Sequence, residues 1–370
     1  MKTLSDYLYQ KASLNKVPLM GTFELSPVCN FACKMCYVRK TPDQIQKEGK
    51  CLIPWEKWLE LAKQCREAGT LFLLLTGGEP FLYPGFRELY QKLHDMGFLI
   101  YINTNGTMID RQTVQWLKER APVRVNITLY GASRETYRKI CGHADGYDRA
   151  VNAIHMLHEA GISVVINASM IPENSCDLEK IMAFGKDLNI NTRVATYMFP
   201  PMRRDREVQD SRFTPEESAN MYIRKLRCAY PHDDYCGFLS KQLSAATAED
   251  VSDNWGSTQD EFMRCRAGRS TFWVNWEGIM NACGMLDFPL ITYPFVEPFQ
   301  ECWSKLTNAV RTTPVLKGCA GCDKRNVCNP CVAMIYGETG TIDQKSTYMC
   351  QLAECILKQM KQELEEFHHE

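Results

Sequence analysis

The sequence lacks any apolar run of about 18 residues, so no membrane-spanning helix is expected. It also lacks an excess of charge of either sign. Its 43 Lys and Arg stand against 44 Asp and Glu, a formal net charge of -1 that offers no general attraction to nucleic acid or an anionic membrane. The opening residues, MKTLSDYLYQKASLNK, contain no apolar core of a secretory signal. No internal repeat or low-complexity tract is present, and 45% hydrophobic with 24% charged residues excludes disordered, collagen-like and fibrous classes. What the chain has in excess is cysteine, 18 in 370 residues. A chain of this length buries a core without disulfide staples, and without a secretory signal a reducing cytoplasm is expected, where clustered thiols serve metals.

From about residue 19 to 195, short apolar runs at 21–25, 71–76, 98–103, 123–129, 162–168 and 192–196 read as strands. Several have no polar alternate, so burial on both faces is expected. Helical periodicity fills 54–68, 84–96, 111–120, 147–160 and 178–188, and Gly69, Gly97 and Gly161 stand just past three of these segments. This is a repeated strand–helix unit with a parallel sheet. On pattern alone a partial barrel and a doubly wound sheet both remain open, and both place functional residues at the strand C-terminal ends. Residues 201–261 are more polar and contain Thr214-Pro215-Glu216-Glu217, a capping-box spacing that starts a helix in a bridging segment. From Cys265 onward short strands and Cys-dense loops are expected, closing in a helix at 350–367.

Right after the first strand comes Cys29-Asn30-Phe31-Ala32-Cys33-Lys34-Met35-Cys36, a C-x3-C-x2-C spacing. Three thiolates on one short loop can hold three corners of a cubane iron–sulfur cluster and leave the fourth iron open. Structural zinc or scattered buried cysteines are the alternatives on spacing alone. The second strand runs into Thr76-Gly77-Gly78-Glu79-Pro80, where paired glycines admit a close backbone approach and Glu79 offers a carboxylate to a cationic amine. The third ends in Asn103-Thr104-Asn105-Gly106, with groups suited to a ribose.

In this order on successive strand ends, these features resemble the radical S-adenosylmethionine (radical SAM) superfamily over about residues 19–200. The resemblance implies that Cys29, Cys33 and Cys36 hold a [4Fe-4S] cluster whose open iron is chelated by the amino and carboxylate groups of SAM. It also implies that Gly77, Gly78, Glu79 and Pro80 contact the SAM amino group. Met35 stands where the family usually has an aromatic against adenine. Asn103, Asn105 and Thr128 are expected at ribose or carboxylate, with Arg138 a carboxylate partner.

The C-terminal part carries Cys265, then Cys283, then Cys319-x2-Cys322-x5-Cys328-x2-Cys331, then Cys350 and Cys355. A hairpin is expected from 271–275 through Glu277-Gly278 to 279–282. Zinc ribbons separate their pairs by about 15–20 residues, and no His is interleaved here, so iron–sulfur is favoured. The pattern resembles the SPASM domain appended to many radical SAM enzymes, which binds two auxiliary clusters. By that resemblance Cys265, Cys283 and Cys331 hold the first, with Cys228, Cys236 or substrate as its fourth ligand, and Cys319, Cys322, Cys328 and Cys350 hold the second. Cys51, Cys65, Cys141, Cys176, Cys302 and Cys355 are expected to be buried packing residues. Cys141 is the alternative hydrogen-atom donor to a substrate radical.

The fold implied is α/β: a partial (β/α)6 TIM-like barrel over 1–200, a bridge over 201–261 and a small C-terminal α+β iron–sulfur (SPASM) domain over 262–370. The cofactors implied are SAM and three [4Fe-4S] clusters. The activity implied is formation of a 5'-deoxyadenosyl radical that modifies a ribosomally made peptide by a thioether or carbon–carbon cross-link or by side-chain oxidation. An external one-electron reductant of flavodoxin or ferredoxin type would feed it. Only 28 residues precede Cys29, too few for the leader-binding domain of many such maturases, so a leader peptide is expected to bind elsewhere or through a separate leader-peptide-binding protein. A sulfatase-type maturase, a small-molecule dehydrogenase or epimerase, and a cluster-bearing scaffold without activity are the alternatives. Gly284 after Cys283, where sulfatase maturases carry an acidic residue, speaks against the first.

Overall fold

A computed structural model describes residues 3–203, 211–244, 265–314, 316, 319, 322–324, 326–328 and 331–367. Parts of the expected bridge, 204–210 and 245–261, lie outside the described residues. Six strands form the barrel: β1 (Met20–Glu24), β2 (Phe72–Thr76), β3 (Leu99–Thr104), β4 (Arg124–Thr128), β5 (Val164–Ser169) and β6 (Thr192–Ala195). They lie side by side in chain order and every pair is parallel. The sheet is open, and β1–β6 follow the chain without the reversal that a doubly wound sheet carries, which selects the partial barrel.

Helices α1 (Leu4–Leu14), α2 (Pro42–Lys47), α3 (Trp55–Glu67), α4 (Phe86–Asp95), α5 (Arg111–Glu119), α6 (Arg134–Cys141), α7 (Gly146–Glu159) and α8 (Leu178–Asp187) precede or connect the strands. Local chemistry sets their ends. Asp110 and Ser133 accept the Thr113 and Thr136 amides at the starts of α5 and α6. Gly69, Gly97 and Gly161 are left-handed just past α3, α4 and α7. Beneath the helices, Leu73, Leu75, Ile100, Ile102, Val125, Ile127 and Ile166 are buried against Trp58, Leu89, Leu93, Leu117 and Ile154, within one core. Each such side chain contributes about 1.5–3 kcal/mol. The expectation of burial on both faces fails for β3, where Tyr101 and Asn103 are only half-buried. An unclosed barrel has helices on its outer face and an open lumen inside.

The remainder departs further from the sequence reading. The hairpin of β7 (Thr271–Val274) and β8 (Met280–Asn281) forms as expected, but β7 pairs in parallel with β1 and extends the barrel sheet to eight strands. Helices α11 (Phe299–Thr312) and α12 (Val332–Thr339), where loops were expected, follow; Phe299 and Trp303 of α11 pack on Phe272 of β7. The bridge carries α9 (Pro215–Ala229) and α10 (His232–Ser244), which share a second apolar cluster with α13 (Thr347–Phe367) through Ile223, Leu226, Leu239, Ile356 and Met360. Among the described residues no helix is long and apolar enough to cross a membrane.

Candidate active site

The three N-terminal cysteines leave the C-terminal end of β1 on one loop, as their spacing implies. That loop lies directly on the extension of β2. The Gly78 amide donates to the Ser26 carbonyl at 2.7 Å and the Glu79 amide to Val28 at 2.9 Å. A Cβ on Gly77 would sit 2.4 Å from the Ser26 oxygen, and one on Gly78 2.4 Å from the Val28 oxygen. The paired glycines therefore serve first to let two stretches of the chain's own backbone touch.

The loop caps a cavity of about 430 Å³ at the strand C-terminal ends. Cys29, Cys33, Cys36 and Met35 line it from the loop, Gly77 and Gly78 from β2, Asn103 and Asn105 from β3, and Thr128 and Tyr130 from β4. Tyr197, Met198, Phe199 and Met202, beyond β6, and Met285, beyond β8, form an apolar wall. Lys34 and Arg212 also line the cavity, and each is paired with a carboxylate, Glu173 at 2.8 Å and Glu338 at 2.8 Å.

A polar network fixes the loop from below. Asn105 Nδ2 donates to Asn30 Oδ1 at 2.9 Å and lies 3.8 Å from Cys29 Sγ, while its Oδ1 accepts from the Thr107 amide and hydroxyl. Asn30 Nδ2 in turn donates to Thr107 Oγ1 at 2.8 Å. Asn30 and Thr107 were missed in the sequence, although Asn30 sits inside the cysteine motif singled out there and Thr107 directly follows Asn103-Thr104-Asn105-Gly106. Burial pushes the Cys29 thiol up to about 12. The Cys33 thiol is held below its ordinary value, chiefly because the Cys141 thiol hydrogen bonds to it, with Tyr130 assisting.

Four expected residues stand elsewhere. Glu79 is fully buried and is not among the cavity-lining residues; its carboxylate accepts from Thr104 Oγ1 at 2.7 Å and from the Asn105 and Phe81 amides at 2.8 and 3.2 Å. Burial, only partly offset by these bonds, pushes its pKa up to about 7. Pro80 is likewise buried outside the lining. Arg138 is exposed on α6, because Tyr137, Ile140 and Cys141 take the buried face of that helix. Cys141 is fully buried and is not among the cavity-lining residues.

Of the C-terminal thiols, Cys265 and Cys283 lie close to Cys331, and burial pushes both up, Cys283 to about 11. Cys319 and Cys322 share a turn, and the Cys328 amide donates to the Lys324 carbonyl. Cys350 lies in the first turn of α13. Cys228 sits beside Glu179 and Arg224. Cys65 and Cys302 are buried as expected, whereas Cys51 and Cys176 are exposed. A junction unseen in the sequence ties the two halves: Arg203 grips buried Glu24 of β1 at 2.7 and 2.8 Å, and Trp273 Nε1 donates to the same carboxylate at 3.2 Å.

Among the described residues no three Cys, His, Asp or Glu side chains converge as around a single ion. The donor set, three thiols on one loop facing a cavity, suits a larger group. The chain matches the radical SAM superfamily over residues 23–185. It carries a radical SAM domain. An AdoMet-dependent heme synthase of Methanosarcina barkeri is 24% identical over 349 residues, which cover 91% of this chain and 97% of that protein. Streptococcus suis SuiB bound to precursor peptide SuiA superposes with a TM-score of 0.66 at 16% identity, covering 94% of this chain and 80% of that one. anSMEcpe with bound AdoMet and Cp18Cys peptide gives 0.68 at 14% identity, covering 95% and 99%. These two likenesses are likenesses of fold, and they extend through the C-terminal part of the chain.

Proposed function

We propose that Cys29, Cys33 and Cys36 hold a [4Fe-4S] cluster whose fourth iron takes the amino and carboxylate groups of SAM, and that the enzyme uses this centre to oxidise a side chain of a peptide or protein. The observation that carries the reading is the cavity itself: three thiols on one loop, beside Gly77 and Gly78, at the open end of a parallel barrel. A reduced cluster with SAM supplies one-electron cleavage of the sulfonium and thereby a carbon radical that abstracts hydrogen. The chain's own residues do the rest. Met35 offers a thioether face to adenine, Asn103 and Thr128 offer hydrogen bonds to ribose or carboxylate, and the Tyr197–Met202 wall with Met285 keeps water out. Cys265, Cys283 and Cys331, and Cys319, Cys322, Cys328 and Cys350, are assigned to two auxiliary clusters that accept the substrate's electron, an external flavodoxin- or ferredoxin-type protein being the reductant.

A peptide is favoured because, among the described residues, the two cations lining the cavity, Lys34 and Arg212, are paired with Glu173 and Glu338. A second reading, an iron porphyrin as substrate, is favoured by the near-full-length likeness to a heme synthase. Its carboxylates would have to break those pairs. Anaerobic incubation of the reconstituted protein with SAM and dithionite should release 5'-deoxyadenosine, and Cys33→Ala should release none. Mass spectrometry then separates the substrates: loss of two hydrogens from a co-expressed peptide supports the first reading, and a mass change in an added iron porphyrin the second. Iron content of about 12 per chain supports three cubanes, and about 4 only the first.

A further inference from the structure

Strand alternation puts Arg124, Asn126 and Thr128 of β4 on one face of the sheet, with Tyr101 and Asn103 of β3 opposite Arg124 and Asn126. It is the face of the cavity, which Asn103 and Thr128 line. Three of these side chains form a ladder of hydrogen bonds. Arg124, its guanidinium 5.1 Å from the centre of the Tyr101 ring, donates from Nε to Asn126 Oδ1 at 2.8 Å, and Asn126 Nδ2 donates to Asn103 Oδ1 at 2.7 Å. A guanidinium has donors and no acceptor, so chemistry alone fixes the direction of the ladder. Asn126 must turn its oxygen to Arg124 and therefore its nitrogen to Asn103, and Asn103 must answer with oxygen. Asn126 is buried, so reversing either amide would set like against like without water to relieve it. With Oδ1 engaged, Nδ2 is the group that Asn103 has left for the cavity.

We infer that Arg124 and Asn126 are positioning residues that hold Asn103 as a hydrogen-bond donor to the carboxylate of SAM. The inference rests on the proposed reading of the cavity as the SAM site, which leaves Asn103 facing either ribose or carboxylate. A ribose hydroxyl donates or accepts as required and meets either end of an amide. A carboxylate only accepts. An amide locked by two further residues with its nitrogen forward selects the carboxylate, and a bond to that charged acceptor is the stronger one.

The test is the affinity of the anaerobically reconstituted full chain for SAM, read by isothermal titration calorimetry beside the thermal midpoint without SAM. Asn126→Asp keeps the size and shape and still accepts from Arg124, but it has no proton to donate, so Asn103 must turn its nitrogen back and its oxygen to the cavity. SAM affinity should fall at least about tenfold while the midpoint holds. On an Asn103→Ala background the same change should cost less than about twofold, because no amide is left to invert. An equal fall in both backgrounds would be the field of the added charge and would overturn the inference. Arg124→Met frees Asn126 to turn and should also weaken SAM binding, whereas Arg124→Lys, still a donor without an acceptor, should stay nearer wild type. Equal affinities in those two variants would overturn the inference, and they decide it alone if Asn126→Asp fails to load iron. Unchanged affinity in a loaded Asn126→Asp protein would overturn it and leave the cavity assignment standing. A loaded wild type that binds no SAM overturns that assignment, and this inference with it.

Discussion

Gly78→Ala puts a methyl carbon 2.4 Å from the Val28 oxygen and 2.7 Å from that of Pro27, both backbone atoms with no rotamer to escape into. A carbon–oxygen contact relaxes at about 3.3 Å, so the loop must retreat by about 0.9 Å. That retreat stretches the Glu79 amide–Val28 bond, now 2.9 Å, out of hydrogen-bond range. The lost bond costs about 1 kcal/mol and the overpacking about 1–3 kcal/mol. Because Cys29 follows Val28 directly, the first thiol moves with the loop, and a displacement of about 1 Å in a reacting constellation costs about 100-fold in rate. The assay is 5'-deoxyadenosine release by the reconstituted variant, normalised to iron content, beside its thermal midpoint. Gly237→Ala in α10, with nothing within 4 Å of the added carbon, is the control and should cleave SAM at the wild-type rate. An iron-loaded Gly78→Ala protein with wild-type cleavage would refute the argument from close approach.

Three further outcomes are expected. The Glu79 carboxyl titrates higher in the folded chain than in the unfolded one, so the folded state binds the extra proton and its contribution to stability falls as pH rises from about 4.5 to about 7. Glu79→Gln should remove that slope, worth up to about 3 kcal/mol, in urea unfolding at pH 5 and pH 7; an identical slope in both proteins would contradict the assignment. Arg203→Met leaves Glu24 buried without its cation and should cost about 3–5 kcal/mol, while Glu24→Gln in the same chain should recover part of the loss, as read from denaturation midpoints. Asn105→Ala strips the bonds to Asn30 and Thr107, and should cost about 1–3 kcal/mol and speed iron loss to a chelator; unchanged iron retention would argue against the network's role in holding Cys29.

The strand ends and their motifs were legible because their residues carry chemistry that spacing alone displays. Three cysteines on one loop, a glycine pair and a run of amides stand out whatever the tertiary context. What those residues touch was not legible. Glu79 turns inward because Thr104 and Asn105, 25 and 26 positions away, arrive at its oxygens across the sheet. Arg138 looked available until α6 formed and its phase turned that position to solvent. The same phase hides Cys141 behind Cys33, a contact between residues more than 100 positions apart in the chain. The hairpin was visible from its turn, yet its pairing with β1 joins Met20 to Thr271 and leaves no local trace. Nor does the grip of Arg203 on Glu24, 179 positions apart.

The central claim is that the N-terminal thiols leave one iron open to SAM. Electron–nuclear double resonance on the reduced, anaerobically loaded protein, with SAM carrying nitrogen-15 in its amino group and oxygen-17 in its carboxylate, tests it most directly. Hyperfine coupling of both labels to the cluster is expected. Fully loaded protein that shows neither coupling would contradict the account.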